Sequence, residues 1–350
     1  MTGPFRLYGA QLSPFAAKVR NYLQFKGLEF EWRERTQARQ EEFARFAKLP
    51  LAPVLVDANG VALQDSTPTI EALEAEYPEP SAIPGDPALA FLSALLEDYA
   101  DEWLSKAMYH YRWSYPEDQA SAAKRLVDAL FEGAAPDGVE DVVRARMVGR
   151  LHHVGSTTQS TPAIEASFTR LIALLDQMLA GRTYLFGERP CFADFGLAAQ
   201  IKQALADPTP GALIRAQAPR VAAWAERMES ARVQGSLESL DALKESLAPL
   251  LREELAGAYL IWASANAQAV ADDAPGVAVE LSGAPFVLKP QRYAAKAFAE
   301  LCRKRARVDD AGLTALLEQT GCDAFLRGDS AMASSAAEED DGEDGEDDEA

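Results

Sequence analysis

Sulfur and imidazole are scarce in this chain: its 350 residues include three cysteines, Cys191, Cys302 and Cys322, and three histidines, His110, His152 and His153. No two cysteines form a CxxC pair, so neither a disulfide framework nor a structural zinc site is expected. His152 and His153 are adjacent, and neighbouring residues on a helix point to different faces, so no metal centre is expected either. Long apolar runs are also missing. Nothing approaches the roughly 20 residues of a membrane span, and Met1-Thr2-Gly3-Pro4 leads into a strand with no signal-peptide pattern, so the expectation is a cytoplasmic chain without a membrane partner. Basic residues are few: 34 Lys and Arg stand against 54 Asp and Glu, a net charge of −20. That balance lacks the basic footprint of a nucleic-acid binder.

Half of the excess charge is local. The segment EEDDGEDGEDDEA from Glu338 carries ten carboxylates and no base, and such a run buries too little apolar surface to fold. A disordered acidic tail over 331–350 is the expectation. The remainder, with 48% hydrophobic and 25% charged residues over the whole chain, reads as ordinary globular protein long enough for two or more domains.

The first 80 residues alternate strand and helix signals. FRLYGA (5–10) and LEFEWR (28–33) read as strands around an amphipathic helix from Pro14 to Lys26, with Gly27 as its stop. A short helix over 38–48 follows, then a strand over 52–56, the hairpin turn Asp57-Ala58-Asn59-Gly60, and a fourth strand over 61–63. Thr67-Pro68 predicts a helix running to Tyr77, with Thr67 as its N-cap. The order is βαβαββα, closed by the linker EYPEPSAIPGDP. Helices are predicted over 88–106, 119–132, 162–180, 193–206, 218–231 and 246–271, with loops at 133–138 and 207–211. Beyond Pro275-Gly276, strands over 277–281 and 285–289 joined by Ser282-Gly283 precede helices over 291–307 and 310–319.

This layout resembles the cytosolic glutathione transferases across about residues 5–230. Three stretches carry the resemblance: SPFAAKVRNYLQFKGLEFE, LAPVLVDANGVALQDS and TYLFGERPCFADFGLAAQ. It implies a thioredoxin-like α/β domain (1–80) and an all-α domain (88–240). A small α/β extension (241–330) and the acidic tail (331–350) lie outside the usual pair; FVLKPQRYAAKAFAELC and EQTGCDAF resemble a bacterial branch of transferase-like proteins with a C-terminal extension.

The resemblance also implies a ligand, glutathione as co-substrate without a metal, and tasks for particular residues. Pro53, as a cis proline, would turn the Ala52 N–H and C=O toward the ligand's cysteinyl backbone; a proline at the start of an edge strand is the plainer reading. Asp65 would hold the α-amine and Ser66 the α-carboxylate, or Asp65-Ser66-Thr67 would only cap a helix. Asp65 is one methylene shorter than the family's usual Glu, and Pro68 is a further departure. Ser13, at a helix N-terminus, would donate a hydrogen bond to the thiolate, or serve only as the cap before Pro14. Serine in place of cysteine there disfavours glutaredoxin-like chemistry, and Tyr8 is a weaker donor candidate. Asp194 is expected to be structural, with Cys191 a poor partner for a capping box.

The aromatic run WLSKAMYHYRWSY (103–115) would either pack in the core or supply Tyr109, Tyr111 and Trp113 to an interdomain pocket for a small apolar electrophile. Arg112 is then either a pocket residue or a buried anchor. A homodimer is implied by the family. The leading functional expectation is a glutathione transferase-like enzyme acting on an electrophile or peroxide. A non-catalytic binding or assembly protein of the same fold, and a glutathione-dependent isomerase or dehalogenase, are the alternatives.

Overall fold

The computed structural model describes residues 1–327; the acidic tail expected from residue 331 lies outside them. Four strands form the first sheet: β1 (Phe5–Gly9), β2 (Phe30–Glu34), β3 (Val54–Val56) and β4 (Ala62–Gln64), in the order β2-β1-β3-β4. β1 and β2 run parallel, joined by the crossover helix α1 (Pro14–Lys26), whereas β3 is antiparallel to both β1 and β4. α1 starts where a serine and a proline allow it. Ser13 Oγ accepts from the Ala16 N–H at 3.2 Å, and Pro14 occupies a position with no intrahelical partner for an N–H. It stops at Gly27, whose φ of 67° suits a residue without Cβ.

α2 (Gln40–Ala44) and α3 (Ser66–Glu76) complete the first domain. α3 begins one residue before the expected cap, so Thr67 lies inside its first turn and Pro68 occupies the third position, where a missing N–H costs nothing. The peptide Ala52–Pro53 is cis.

The all-α part runs through α4 (Pro87–Tyr99), α5 (Ser105–Ser114), α6 (Pro116–Phe131), α7 (Val139–Gly149), α8 (Thr161–Met178), α9 (Phe192–Leu205), α10 (Pro208–Gln217) and α11 (Pro219–Arg227). α4 and α5 form one rod joined by a wider, i→i+5 turn at Ala100–Leu104. α10 replaces an expected loop. Pro208 and Pro210 sit in its first turn, where prolines are tolerated, so a Pro-rich start signals helix here.

The extension opens with α12 (Leu240–Leu250) and α13 (Leu260–Ala271), continuous through a second wide turn at Leu251–Tyr259 just after Pro249. A two-stranded ribbon, β5 (Val277–Leu281) and β6 (Ala284–Leu288), turns at Ser282 and Gly283, both at positive φ. α14 (Arg292–Ala306), α15 (Ala311–Thr320) and α16 (Asp323–Leu326) follow. One apolar core joins all three parts. Tyr22 of α1 meets Phe195 of α9 edge-on at 5.8 Å, and Trp103 meets Trp262 of α13 at 5.7 Å and Phe286 of β6 at 5.1 Å. The extension is therefore packed into the body of the molecule.

Candidate functional site

Strand register brings the sequence-predicted residues to one end of the first sheet. Tyr8 pairs with Val54, and Val54 with Gln64. The turn that carries Ser13 therefore leaves β1 beside Pro53, which enters β3, and beside Asp65, which leaves β4. Ala52 precedes the last registered pair, so its N–H and C=O lie outside the ladder.

Ser13 is half-buried, and its oxygen accepts from Ala16 N–H. The cap leaves the hydroxyl proton free for an acceptor in front of α1. Tyr8 is fully buried on the other face of the sheet with Phe43, Val54 and Val56, and its hydroxyl donates to Glu42 at 2.7 Å. Burial and then Glu42 push that phenol up to about 12. Tyr8 is a packed residue, and Ser13 is the hydroxyl at the sheet end.

The turn itself is strapped by the helical domain. Arg112 Nη1 donates to the Leu12 carbonyl at 3.0 Å and Gln203 Nε2 to the Gln11 carbonyl at 2.9 Å. Arg112 also donates through Nε to Asp207 at 2.8 Å and through Nη2 to the Gln203 side chain at 2.9 Å. Of its two sequence readings, the buried anchor is the one seen. Gln64 performs a similar service before Pro53: its Oε1 accepts from the Lys48 and Leu49 N–H groups, and its Nε2 donates to the Leu49 and Leu51 carbonyls.

The corner after β4 departs from expectation. Asp65 takes φ 81°, rare for a residue with a Cβ, and its side chain makes no capping bond to α3. Its carboxylate Oδ2 instead accepts from the hydroxyl of Tyr293 in the extension. The Ser66 hydroxyl, expected to face a ligand carboxylate, is turned inward and 1% exposed. The reason is Lys18, fully buried on α1, whose ammonium needs oxygen partners. It donates to Ser66 Oγ at 3.2 Å, Thr67 Oγ1 at 2.9 Å and Asp101 Oδ2 at 2.7 Å, and pairs with Glu97. Burial opposes the charge of Lys18, but Asp101 and Glu97 outweigh it and hold the ammonium above its ordinary value. From Ser66, only the backbone N–H at the start of α3 remains for an external anion.

Tyr109, Tyr111 and Trp113 do not share a pocket wall. Trp113 is 1% exposed against Ala122 and Ala123, and Tyr109 donates to the Met147 carbonyl at 2.9 Å. Positions two apart on a helix diverge, so Tyr111 faces elsewhere. It lines a groove of about 900 Å³ with Tyr115, Glu165, Arg170, Thr209 and Leu213. Every wall of that groove comes from the helical domain, whereas the expected pocket lay between domains.

Asp194 is structural, as expected. Fully buried, it accepts from the N–H groups of Leu185 and Cys191 at 3.0 and 2.9 Å and from Trp224 Nε1 at 2.9 Å. The Cys191 thiol donates to the same carboxylate at 3.2 Å. Both halves of the capping box are therefore present with cysteine in place of Ser or Thr, a correction to the expectation for Cys191.

Residues 7–81 match the family described as "Glutathione S-transferase, N-terminal domain", and residues 158–227 match "Glutathione S-transferase, C-terminal domain". The chain thus carries both domains of the glutathione S-transferase family, in their order. Among curated proteins it is similar to the isoprene-epoxide–glutathione S-transferase of Rhodococcus sp. (strain AD45), 26% identical over 209 residues, or 56% of this chain and 82% of that one. Similar solved structures include the beta-etherase LigF from Sphingobium sp. strain SYK-6, at 21% identity, 70% of this chain, 99% of that one and TM-score 0.49. FzlA from C. crescentus follows at 18% identity, 70% and 92% coverage and TM-score 0.45. A glutathione S-transferase of Methylobacterium radiotolerans in complex with glutathione sulfonate is 24% identical, with 67% and 98% coverage and TM-score 0.41.

Lys18, Gln64, Gln203 and Tyr293 were not singled out from the sequence. Lys18 alone left a signal there, as a lysine within the apolar face of α1.

Proposed function

We propose that this protein is a glutathione transferase that binds glutathione at the end of the first sheet and presents its thiolate to an electrophile. The observation that carries the proposal is Ser13, a capped hydroxyl with its proton free in front of α1, held beside Pro53 and Asp65 by strand register. Ala52 would pair with the cysteinyl backbone of the ligand as an added strand. The Asp65 carboxylate would take its α-ammonium, and the Ser66 N–H its α-carboxylate.

The Ser13 hydroxyl would donate to the sulfur, with the positive end of α1 behind it. Both favour the thiolate over the thiol and lower the sulfur's pKa. The thiolate then attacks an electrophilic carbon. A C–S bond forms, and the bond to the leaving group breaks, or a C–O bond of a strained ring opens. The relative from Rhodococcus, named for an epoxide, supports an electrophile of that kind.

Binding is tested by retention of the full chain on immobilised glutathione, eluted by free glutathione, together with a thermal shift. Absence of both defeats the proposal and favours a non-catalytic protein of the same fold, a reading to which the inward Ser66 hydroxyl lends support. The mechanism is tested by titrating bound thiolate absorbance in wild type and Ser13→Ala. Loss of a hydrogen bond to a charged group, about 1.5–3 kcal/mol, should raise the bound thiol pKa by about one to two units. An unchanged value reduces Ser13 to a helix cap.

A further inference from the structure

The extension reaches the candidate site through α14. At the start of this helix Gln291 is fixed from several sides: its N–H donates to Asn266 Oδ1 at 2.7 Å, and its carbonyl accepts from Asn266 Nδ2 at 2.9 Å. Lys106 Nζ donates to Gln291 Oε1 at 2.7 Å, and Gln291 Nε2 donates to the His153 carbonyl at 3.0 Å. Asn266 is fully buried, so this anchor is internal. Near the other end Lys304 pairs with Glu71 on α3. α14 therefore spans from the helical domain to the first domain, and Tyr293 sits at its anchored end.

Tyr293 keeps 56% of its surface exposed, unusual for so large a side chain, while its hydroxyl donates to Asp65 Oδ2. Asp65 is the one corner residue at positive φ, and its carboxylate takes no part in capping α3. Among the described residues nothing else hydrogen-bonds to that carboxylate, so Oδ1 is open. A short side chain on an unusual backbone has its direction set by whatever holds it, and here that is Tyr293.

We propose that Tyr293 is a positioning residue for the amine end of the ligand. By holding Oδ2 it fixes the Asp65 carboxylate so that Oδ1 receives a primary ammonium, which is how a chain with Asp at this corner achieves charge-assisted recognition with a shorter reach. The assignment rests on the proposed glutathione site and adds to it a determinant supplied by the extension.

The test is calorimetric titration of the full chain with glutathione and with its analogue lacking the α-amino group. Tyr293→Phe keeps the ring and removes the hydroxyl. It should weaken glutathione binding about tenfold, the size expected for losing order in one charge-assisted bond, and leave the des-amino analogue within about twofold of wild type. In an Asp65→Asn background the same substitution should add nothing further, since the carboxylate it positions is gone. Equal losses for both ligands would make Tyr293 merely structural and overturn the assignment. So would an unchanged or tighter glutathione Kd in Tyr293→Phe, the latter being the mark of a blocking residue. In either case wild-type binding leaves the proposed function standing, whereas no binding by wild type removes both.

Discussion

Single buried groups set much of this molecule's geometry, and the cost of removing them is correspondingly specific. Asp194 satisfies two backbone N–H groups and the Trp224 indole with one carboxylate. Asp194→Ala would strand these donors in the core at about 1–3 kcal/mol each, so a loss of at least about 3 kcal/mol is expected in denaturant unfolding. Lys18 differs because it holds charges rather than donors. Lys18→Met would leave Glu97 and Asp101 without their buried cation and should cost about 3–5 kcal/mol. Replacing Asp101 by Asn in that variant should recover part of the loss, a coupling that denaturant melts of the double variant would reveal. Gly9 makes a steric point at the same scale: a Cβ there would lie 2.3 Å from the Trp32 ring. Gly9→Ala would thus displace the strand end from which the Ser13 turn departs.

At the scale of elements, α14 owes its position to a side chain outside it. Asn266→Ala would remove both bonds to the Gln291 backbone and loosen the helix start. Hydrogen exchange should then quicken in α14 while amides of α8 keep their protection, because the bonds lost go to Gln291 and none to α8. This contrast also marks what could be read from the sequence. Elements with local punctuation were legible: the Ser13-Pro14 start and Gly27 stop of α1, the Asn59-Gly60 hairpin, and the Ser282-Gly283 ribbon turn. α10 was not, because Pro208 and Pro210 signal both a turn and a helix start, and burial of Ile214 decides between them. The sheet-end site was legible in outline, since Ser13, Pro53 and Asp65 each sit at a strand boundary. Their partners were not. Lys18 reaches Asp101 across 83 positions and Arg112 reaches Leu12 across 100, separations over which no local pattern carries information. The inward turn of Ser66 follows from Lys18 and was hidden with it.

Across the whole molecule, the seam between the first domain, α4 and the extension gathers the carboxylates of Glu97, Asp98, Asp101 and Glu102, the first buried and the others partly so. Burial, reinforced by Glu97 and Asp101 and opposed by a bond from Tyr259, pushes Asp98 up to about 7. Burial likewise raises Asp101, against the pull of Lys18, and Glu102, against the pull of Lys106. A carboxyl raised on folding makes the folded state take up protons. Its stabilising contribution is complete below the ordinary Asp value of 3.8 and disappears as pH rises through about 7. Lys106 has the opposite sense, since burial lowers it and stability returns as it discharges at higher pH. Asp98→Asn, which keeps an acceptor for Tyr259 and removes the titration, should flatten the decline. Between about pH 5 and 8 the variant should lose less stability than wild type, by on the order of 2 kcal/mol in paired urea melts. A difference that does not change with pH would show that Asp98 ionises normally.

The contact between Tyr293 and Asp65 joins residues 228 positions apart, and that separation has a temporal side. At about 5–20 residues per second, the corner would leave the ribosome on the order of 10–50 s before the tyrosine that steadies it. The first domain can form its strands early, but the Asp65 corner waits for the extension. A chain interrupted after α11 would therefore carry Ser13 and Pro53 in place and an Asp65 with nothing to hold it.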